Sequence, residues 1–247
     1  MEREMTEKDI SIRLKQNEIE ANPQLQERLC LYSSLLTERN RHMDLTAADD
    51  EEEILDKHFI DSLTVLKTGL LEHCKTLIDV GTGAGFPGMV IAMARPDIQV
   101  TLLDAQRKRL DFLEEIAERS GMKNIKVLHA RAEDAARRME LRETFDIACA
   151  RAVAPLNILS EYILPFVRIG GMALCWKGPG LKEEMDAGRK AAFILGAGME
   201  EPVICRVYGR EWKHVILPMK KEKSTPKIYP RKAGTPKQKP LGVKSLS

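Results

Sequence analysis

Residues 77–88 read LIDVGTGAGFPG, an apolar run that passes directly into a glycine-rich turn. The run has the length of a buried strand, and Pro87 suits the first turn of a following helix. Glycine in such a turn lets a ligand approach the backbone, because no Cβ stands in the way. The stretch therefore predicts a strand, a ligand-binding turn and a helix in direct succession.

On the C-terminal side of this turn, short apolar runs alternate with amphipathic stretches. This alternation is typical of βαβ units, which build a parallel sheet. It predicts strands at 76–80, 98–103, 125–129, 145–150 and 171–177, and helices at about 87–94, 106–120, 133–139, 155–168 and 181–196. Two last strands, near 201–208 and 212–219, are expected to pair as a hairpin through Gly209-Arg210-Glu211. The fold class is therefore α/β, with a Rossmann-like, doubly wound mixed sheet of seven strands.

The residues before the first strand have helical spacing of their apolar positions over 5–20 and 24–39, with a break at Asn22-Pro23. A third helix is expected from Asp49 or Asp50, either of which can cap it, up to Gly69. The chain thus divides into an N-terminal helical extension (1–72), a core (73–219) and a basic end (220–247).

Composition limits the class of protein. The chain of 247 residues is 43% hydrophobic and 31% charged, as in ordinary globular proteins, and no apolar run reaches the length of a membrane span. The N-terminal residues resemble no signal sequence, and five scattered cysteines without a Cys-x-x-Cys pair favour a reducing compartment. We therefore expect a cytoplasmic protein with no membrane partner. No metal is expected, because the histidines and cysteines show no metal-ligand spacing.

The basic end carries a charge that the net value of +2 conceals. Residues 219–247 hold nine Lys and Arg against one acid, Glu222. Such a segment attracts nucleic-acid phosphates, although a solvated terminus that only aids solubility has the same composition. We expect a flexible segment that binds RNA.

Two acids at the ends of neighbouring strands indicate which ligand the turn binds. Asp79 precedes the glycines, and Asp104 ends the second strand, where a carboxylate can accept both hydroxyls of an adenosine ribose. The glycines at 83, 85 and 88 also satisfy the dinucleotide fingerprint. Asp79 would repel a pyrophosphate by about 1–4 kcal/mol but attract the ammonium group of S-adenosylmethionine. S-adenosylmethionine is therefore favoured over a nicotinamide cofactor, with Glu133 placed beyond the third strand to meet the adenine.

The end of the fourth strand, FDIACARAVA at 145–154, is where the methyl group of such a cofactor would be transferred. It lacks the Asn-Pro-Pro-Tyr sequence that serves exocyclic amines, which favours a ring nitrogen as the acceptor. Guanine N7 has a free in-plane lone pair, so the transfer needs positioning and no dedicated catalytic base. Arg151 has a possible positioning role, by anchoring the cofactor carboxylate or by bonding guanine O6. Cys149 is expected to be a small core residue.

Several segments taken together resemble the bacterial RsmG family, also called GidB, which methylates N7 of a guanine in small-subunit ribosomal RNA. The resemblance is nearly full-length. It is carried by NRHMDLT (40–46), HFIDS (58–62), 79–88, LLD (102–104), RAVA (151–154), WKG (176–178) and YPRKAGTP (229–236). One departure is Asp44, where the family usually has Asn.

The resemblance implies a class I methyltransferase that acts on 16S ribosomal RNA or the small ribosomal subunit. Together with the residue patterns, it gives the expected cofactor-binding residues: Asp79, Gly81, Gly83, Phe86, Asp104, Ala132, Glu133 and Arg151. The expected substrate-binding residues are His58, Asp61, Lys177, Arg231 and Lys232. Two alternatives stay open on the sequence alone. One is a ribosome-assembly factor that binds RNA without catalysis, and the other is an NAD-dependent dehydrogenase.

Overall fold

The computed structural model of the chain describes residues 5–20, 22–43, 45–46, 50–212 and 214–243, with the backbone alone over 41–43. Asp44 and Asp49, which the sequence analysis singled out, lie outside these residues. Across the described part of the chain, every helix is too short or too polar to cross a lipid bilayer.

The N-terminal region is helical, as predicted. Its elements are α1 (Glu7–Gln16), α2 (Pro23–Met43), α3 (Glu51–Glu53), a π-helix (Ile54–Ile60), α4 (Asp61–Leu63) and a 3-10 helix (Thr64–Lys67). The side chain of Asp50 accepts a hydrogen bond from Glu53 N and so caps α3, as expected for that residue. The wide π-helical turn was not predicted, since its apolar spacing is close to that of an α-helix.

In the described part of the chain, eight strands form one mixed sheet. They are β1 (Thr76–Val80), β2 (Gln99–Asp104), β3 (Ile125–His129), β4 (Phe145–Arg151), β5 (Val167–Lys177), β6 (Ala197–Met199), β7 (Val203–Cys205) and β8 (His214–Lys221). Their order is β3-β2-β1-β4-β5-β8-β6, with β7 also paired to β8. The first five strands are parallel, and β8 runs antiparallel to β5. The doubly wound, Rossmann-like α/β class expected from the sequence is confirmed.

The last strand position of the sheet differs from the prediction. The expected seven strands correspond to seven positions, but two short strands share the last one: β6 pairs with the end of β8 and β7 with its start. Pro202 between them and Pro218 on β8 cannot donate ladder hydrogen bonds, which breaks the edge strand in two.

The expected antiparallel pairing of the last two strands, across a connection that contains Gly209, is confirmed, because β7 pairs with β8. The connection is longer than the three residues predicted, since β7 already ends at Cys205 and β8 begins at His214. This connection is held on the N-terminal helices. Tyr208 N donates to Asn17 Oδ1 at 2.7 Å, and Arg210 Nε lies 2.6 Å from Asp56 Oδ2. Arg13 binds the same buried carboxylate of Asp56. The two residues of each contact are far apart in sequence, so the local pattern that predicted the hairpin could not reveal these contacts.

Helices cover both faces of the sheet. They are α5 (Gly88–Ala94), α6 (Arg107–Arg119), α7 (Ala132–Ala135), α8 (Leu156–Ile163) and α9 (Leu181–Ile194). Successive strand residues point to opposite faces: Leu77 packs in the core beneath α5, α6 and the N-terminal helices, and Ile78 in the core beneath α7, α8 and α9. α8 ends earlier than predicted because Pro165 lies in a 3-10 turn that leads directly into β5.

The basic C-terminal segment lies along the core, which differs from the expected flexible end. Over residues 222–243 it runs beside α7 and α8, includes α10 (Thr235–Gln238) and makes specific contacts. Arg231 forms a bidentate ion pair with Glu161, whose side chain is fully buried, and Gly234 N donates to Glu133 Oε1 at 3.0 Å. Asn157 donates to Leu241 O at 2.9 Å. The charge composition of the segment could not reveal this docking, because the core groups that it contacts are distant from it in sequence.

Arg231→Met is expected to lower the free energy of unfolding by about 2–3 kcal/mol, because it leaves the buried carboxylate of Glu161 without its cationic partner. Lys232→Met removes a neighbouring exposed charge and should change the free energy of unfolding by less than about 0.5 kcal/mol. Urea unfolding of both variants measures the difference. Equal effects of the two substitutions would contradict a specific anchor at Arg231.

Candidate active site

A cavity of about 570 Å³ opens where the carboxyl ends of β1, β4 and β5 meet. Its walls come from the glycine-rich turn after β1, the segments after β4 and β5, the start of α9, and the N-terminal helical region. Ligands of doubly wound folds bind at this edge of the sheet. The described residues that line it include Thr46, Lys57, His58, Asp61, Gly81, Gly83, Phe86, Arg109, Arg151, Ala154, Trp176, Lys177, Glu184 and His214.

The turn after β1 is held open by its glycines and tied to β2. Gly81 and Gly83 adopt positive φ angles of 72° and 60°, which glycine reaches without strain. The amides of Gly81 and Thr82 both donate to Leu103 O, at 2.8 and 3.0 Å. A Cβ on Gly83 would meet nothing closer than 3.9 Å, so this glycine faces open space. The turn therefore presents backbone to the cavity, as the sequence predicts.

Asp79 lies behind the turn and does not line the cavity. Its side chain is fully buried, and Oδ2 accepts hydrogen bonds from Gly88 N at 2.9 Å and Thr82 Oγ1 at 2.7 Å. Among the described residues, Oδ1 has no hydrogen-bond partner. The expected direct attraction between Asp79 and a cofactor ammonium group does not fit this position. Asp79 instead fixes the turn against the start of α5.

Burial raises the pKa of Asp79 from 3.8 to about 6, with the hydrogen bonds from Thr82 and Gly88 opposing that shift. The folded protein thus favours the protonated carboxyl. This contribution to stability is fully present below about pH 4 and is lost as the pH rises through 6. Relative to Asp79→Asn, the wild-type protein should lose about 2.5 kcal/mol of unfolding free energy between pH 4 and pH 7. Denaturant unfolding of both proteins across this range tests the prediction, and a difference independent of pH would refute it.

Asp104 ends β2 beside the same turn, as predicted. Its Oδ2 accepts from Gly83 N at 2.9 Å and its Oδ1 from Gln106 N at 2.8 Å, while Arg109 lies 3.7 Å away. The side chain is 6% exposed. Asp104 therefore positions the glycine turn, and its carboxylate retains lone pairs at the edge of the cavity beside Arg109.

An aromatic stack supports the turn from the N-terminal helices. The rings of His58 and Phe86 lie 4.7 Å apart and nearly parallel, and Tyr32 stacks on Phe86 at 5.5 Å. The hydroxyl of Tyr32 donates to Ala84 O inside the turn. Sequence reasoning missed Tyr32, because its only visible feature was an apolar position on α2.

Arg151 connects the end of β4 to the π-helix. Its guanidinium donates to Lys57 O at 2.9 Å, to Asp61 Oδ2 at 3.2 Å and to His58 Nδ1 at 2.8 Å, and it lies 5.0 Å from the centre of the Phe86 ring. Burial lowers the pKa of Arg151, with Asp61 opposing that shift. Most of its donors are therefore used within the protein, which favours a positioning role over direct contact with a ligand.

His58 and Asp61 lie together in the cavity wall, as their spacing predicts. Burial lowers the pKa of His58 to about 3, and the positive charge of Arg151 adds to the shift, so the imidazole is neutral at physiological pH. Among described residues its Nε2 has no hydrogen-bond partner. Asp61 also accepts from His214 Nδ1 at 2.9 Å.

Lys177 lies at the other end of the cavity, where β5 ends. Its Nζ lies 2.5 Å from Glu184 Oε2 and donates to Ala154 O at 3.1 Å. Glu184 Oε2 also accepts from Leu156 N at 2.6 Å, so it links the start of α8 to α9. The sequence analysis missed Glu184, since an acid in a first helical turn ordinarily reads as a helix-stabilising residue.

The structure brings most of the predicted residues together. His58, Asp61, Gly81, Gly83, Phe86, Arg151 and Lys177 line one cavity, and Asp79 and Asp104 brace its glycine turn. The cavity lining does not include four predicted residues, Ala132, Glu133, Arg231 and Lys232. Glu133 accepts a hydrogen bond from Gly234 N in the C-terminal segment, and Arg231 pairs with Glu161. Cys149 is a fully buried core residue, as predicted. Within the described part of the chain, no group of three or more His, Cys, Asp or Glu could hold a metal ion.

Solved structures share the fold at low sequence identity. A point mutant of MtNAS in complex with S-adenosylmethionine superposes with a TM-score of 0.52 at 14% identity, covering 87% of this chain and 78% of that one. The apo form of the S-adenosylmethionine-dependent methyltransferase SibL gives a TM-score of 0.51 at 14% identity, over 66% of this chain and 55% of that one. The core therefore shares the doubly wound α/β fold of these two proteins.

Sequence relatives are much closer. A ribosomal RNA small subunit methyltransferase G of Clostridium perfringens (strain 13 / Type A) is 45% identical over 223 residues, covering 90% of this chain and 93% of the relative. The protein of that name from Alkaliphilus metalliredigens (strain QYMF) is 43% identical, covering 87% and 90%. These comparisons favour neither a dehydrogenase nor a non-catalytic assembly factor. The family described as GidB, rRNA small subunit methyltransferase G, matches residues 25–210, and this chain belongs to it.

Proposed function

We propose that the chain transfers the methyl group of S-adenosylmethionine to N7 of a guanine in 16S ribosomal RNA, directly and in line. The observation that carries the proposal is the cavity itself. In a chain of this family, a glycine turn braced by two carboxylates opens beside the ends of β4 and β5, where a base can approach.

The residues present fit the cofactor. Gly83 has open space where a Cβ would lie, so a nucleoside can approach the backbone there. Gly81, Gly83 and Phe86 would contact it in the cavity, with Asp104 beside the ribose. Ala132 and Glu133 follow the end of β3 and stay predictions for the adenine end. When bound, the cofactor supplies an electrophilic methyl carbon on a sulfonium.

Asp79 and Arg151 would act through other residues. Asp79 holds the turn through Gly88 and Thr82, and Arg151 holds the His58 ring against Phe86. Guanine N7 needs no base to remove a proton before it accepts a methyl group. The chain's contribution is thus to orient the two reactants and to exclude water from the space between them.

The RNA would also meet the basic C-terminal segment. Arg231 is paired with Glu161 and anchors the segment, and its contact with RNA stays a prediction. Lys232 is exposed, as are Lys227, Lys237 and Lys239 on the same segment. Docking of this segment on the core would hold these charges in fixed positions, where they can bind phosphates. The cytoplasmic location stays a prediction.

The test is methyl transfer from labelled S-adenosylmethionine to small ribosomal subunits or their RNA. Nucleoside analysis should find the label as 7-methylguanosine at one position of 16S ribosomal RNA. Label at another atom of guanine would overturn the N7 assignment. Label only in protein, or none in RNA, would overturn the whole proposal.

A further inference from the structure

Glu184 is the acid in the cavity that is available to a ligand. Asp61, the other carboxylate among the described lining residues, is 2% exposed and already binds Arg151 and His214. The side chain of Glu184 is 28% exposed. Its Oε2 is held by Lys177 and by Leu156 N, whereas its Oε1 accepts no hydrogen bond from the described part of the chain.

The position of Glu184 is fixed by its neighbours. Lys177 Nζ is itself tied to Ala154 O, directly after β4, and the Glu184 backbone lies in the first turn of α9. The carboxylate therefore lines the cavity on the side of the β4 and β5 ends, whereas the glycine turn follows β1. An ordered carboxylate with one unpaired oxygen is suited to accept hydrogen bonds from a bound group without paying much ordering entropy.

We propose that Glu184 is a specificity-determining residue that accepts hydrogen bonds from the N1–H and 2-amino groups of the target guanine. This inference rests on the proposed function and names the residue that recognises the base. A guanine that presents N7 to the cofactor directs its Watson–Crick edge away from it, toward the far wall of the cavity. That edge carries two adjacent donors, and the two lone pairs of Glu184 Oε1 can accept from both, whereas adenine carries an acceptor at N1.

The charge balance of the reaction favours the same placement. The N7 lone pair forms the new N–CH3 bond, the S–CH3 bond breaks, and its electron pair returns to sulfur. The positive charge therefore moves from the sulfonium to the guanine ring, and no proton is transferred. A carboxylate fixed at the guanine edge stabilises this charge as it develops.

The experiment compares two substrates and three proteins. Small ribosomal subunits are reconstituted around RNA that carries guanosine or inosine at the methylated position, which the wild-type protein identifies first. Inosine keeps N1–H and lacks only the 2-amino group. Initial rates of methyl transfer give kcat/KM for the wild type, for Glu184→Gln and for Glu183→Gln, a matched control at an exposed neighbour.

The wild type and Glu183→Gln should prefer guanosine over inosine by about tenfold, and Glu184→Gln should lower kcat/KM on guanosine by about 10- to 100-fold. For Glu184→Gln the guanosine/inosine ratio should fall close to one, with the KM for S-adenosylmethionine and the melting temperature near wild type. If Glu184→Gln leaves the guanosine/inosine ratio unchanged, because kcat/KM falls by the same factor on both substrates or does not fall at all, the role of Glu184 is overturned while the proposed function stands. No transfer by the wild type to either RNA would overturn the proposed function, and this inference with it.

Discussion

Arg151→Met is expected to lower the free energy of unfolding by about 3–5 kcal/mol and to abolish methyl transfer. Methionine fills much of the same volume but leaves the carboxylate of Asp61, which is 2% exposed, without its cationic partner. The carbonyl of Lys57 and Nδ1 of His58 lose their donor as well. Chemical denaturation, followed by circular dichroism, measures the loss of stability.

The double variant Arg151→Met with Asp61→Asn separates charge from packing. Removing the stranded charge should restore about 1–3 kcal/mol of the loss, since a neutral amide tolerates burial better than a carboxylate. His214 remains beside the amide, so the hydrogen bond at 2.9 Å can persist. Strict additivity of the two single substitutions would show that the ion pair is not what Arg151 contributes.

Gly85→Ala is expected to destabilise the protein by about 3–5 kcal/mol and to abolish cofactor binding. Gly85 has a φ of 101°, and a Cβ there would lie 2.8 Å from Leu113 Cδ2, 2.9 Å from Met89 Cβ and closer still to the Tyr32 hydroxyl. Backbone strain and overpacking both oppose the substitution. Urea unfolding and calorimetric titration with S-adenosylmethionine measure the two effects.

Gly83→Ala is the matched control for Gly85→Ala. Gly83 has a φ of 60°, but a Cβ there has open space. Only the left-handed backbone opposes this substitution, at about 1 kcal/mol. A loss of stability as large as that of Gly85→Ala would mean that crowding around Gly85 is not the cause.

The core of the fold was predictable because local signals and tertiary packing agree there. The run from Leu77 to Gly88 is at once a buried strand, a glycine turn and a helix start, and all three formed where the sequence places them. The edge of the sheet was less predictable. Val203–Cys205 pairs as expected, but Pro202 divides the edge, and contacts between Arg210 and Asp56 decide where the following connection goes.

The site followed the same rule. Strand ends placed Asp79, Asp104, Arg151 and Lys177 near one another, because the carboxyl ends of parallel strands share one edge. What spacing could not give was the direction of each side chain. Asp79 turns inward and braces the turn, Arg231 pairs with Glu161, and Glu184 reaches the cavity from a helix whose charge pattern looks ordinary.

The contact between Tyr32 and Ala84 O joins residues that are 52 positions apart. A fragment that starts at the first strand would contain every glycine of the turn and lack the ring that stacks on Phe86. The helical extension is thus a component of the cavity wall, and we expect the sheet without it to lose the support of the turn that we propose as the nucleoside site. Substitutions that shift α2, even far from the cavity, are therefore expected to change the affinity for the cofactor through Tyr32.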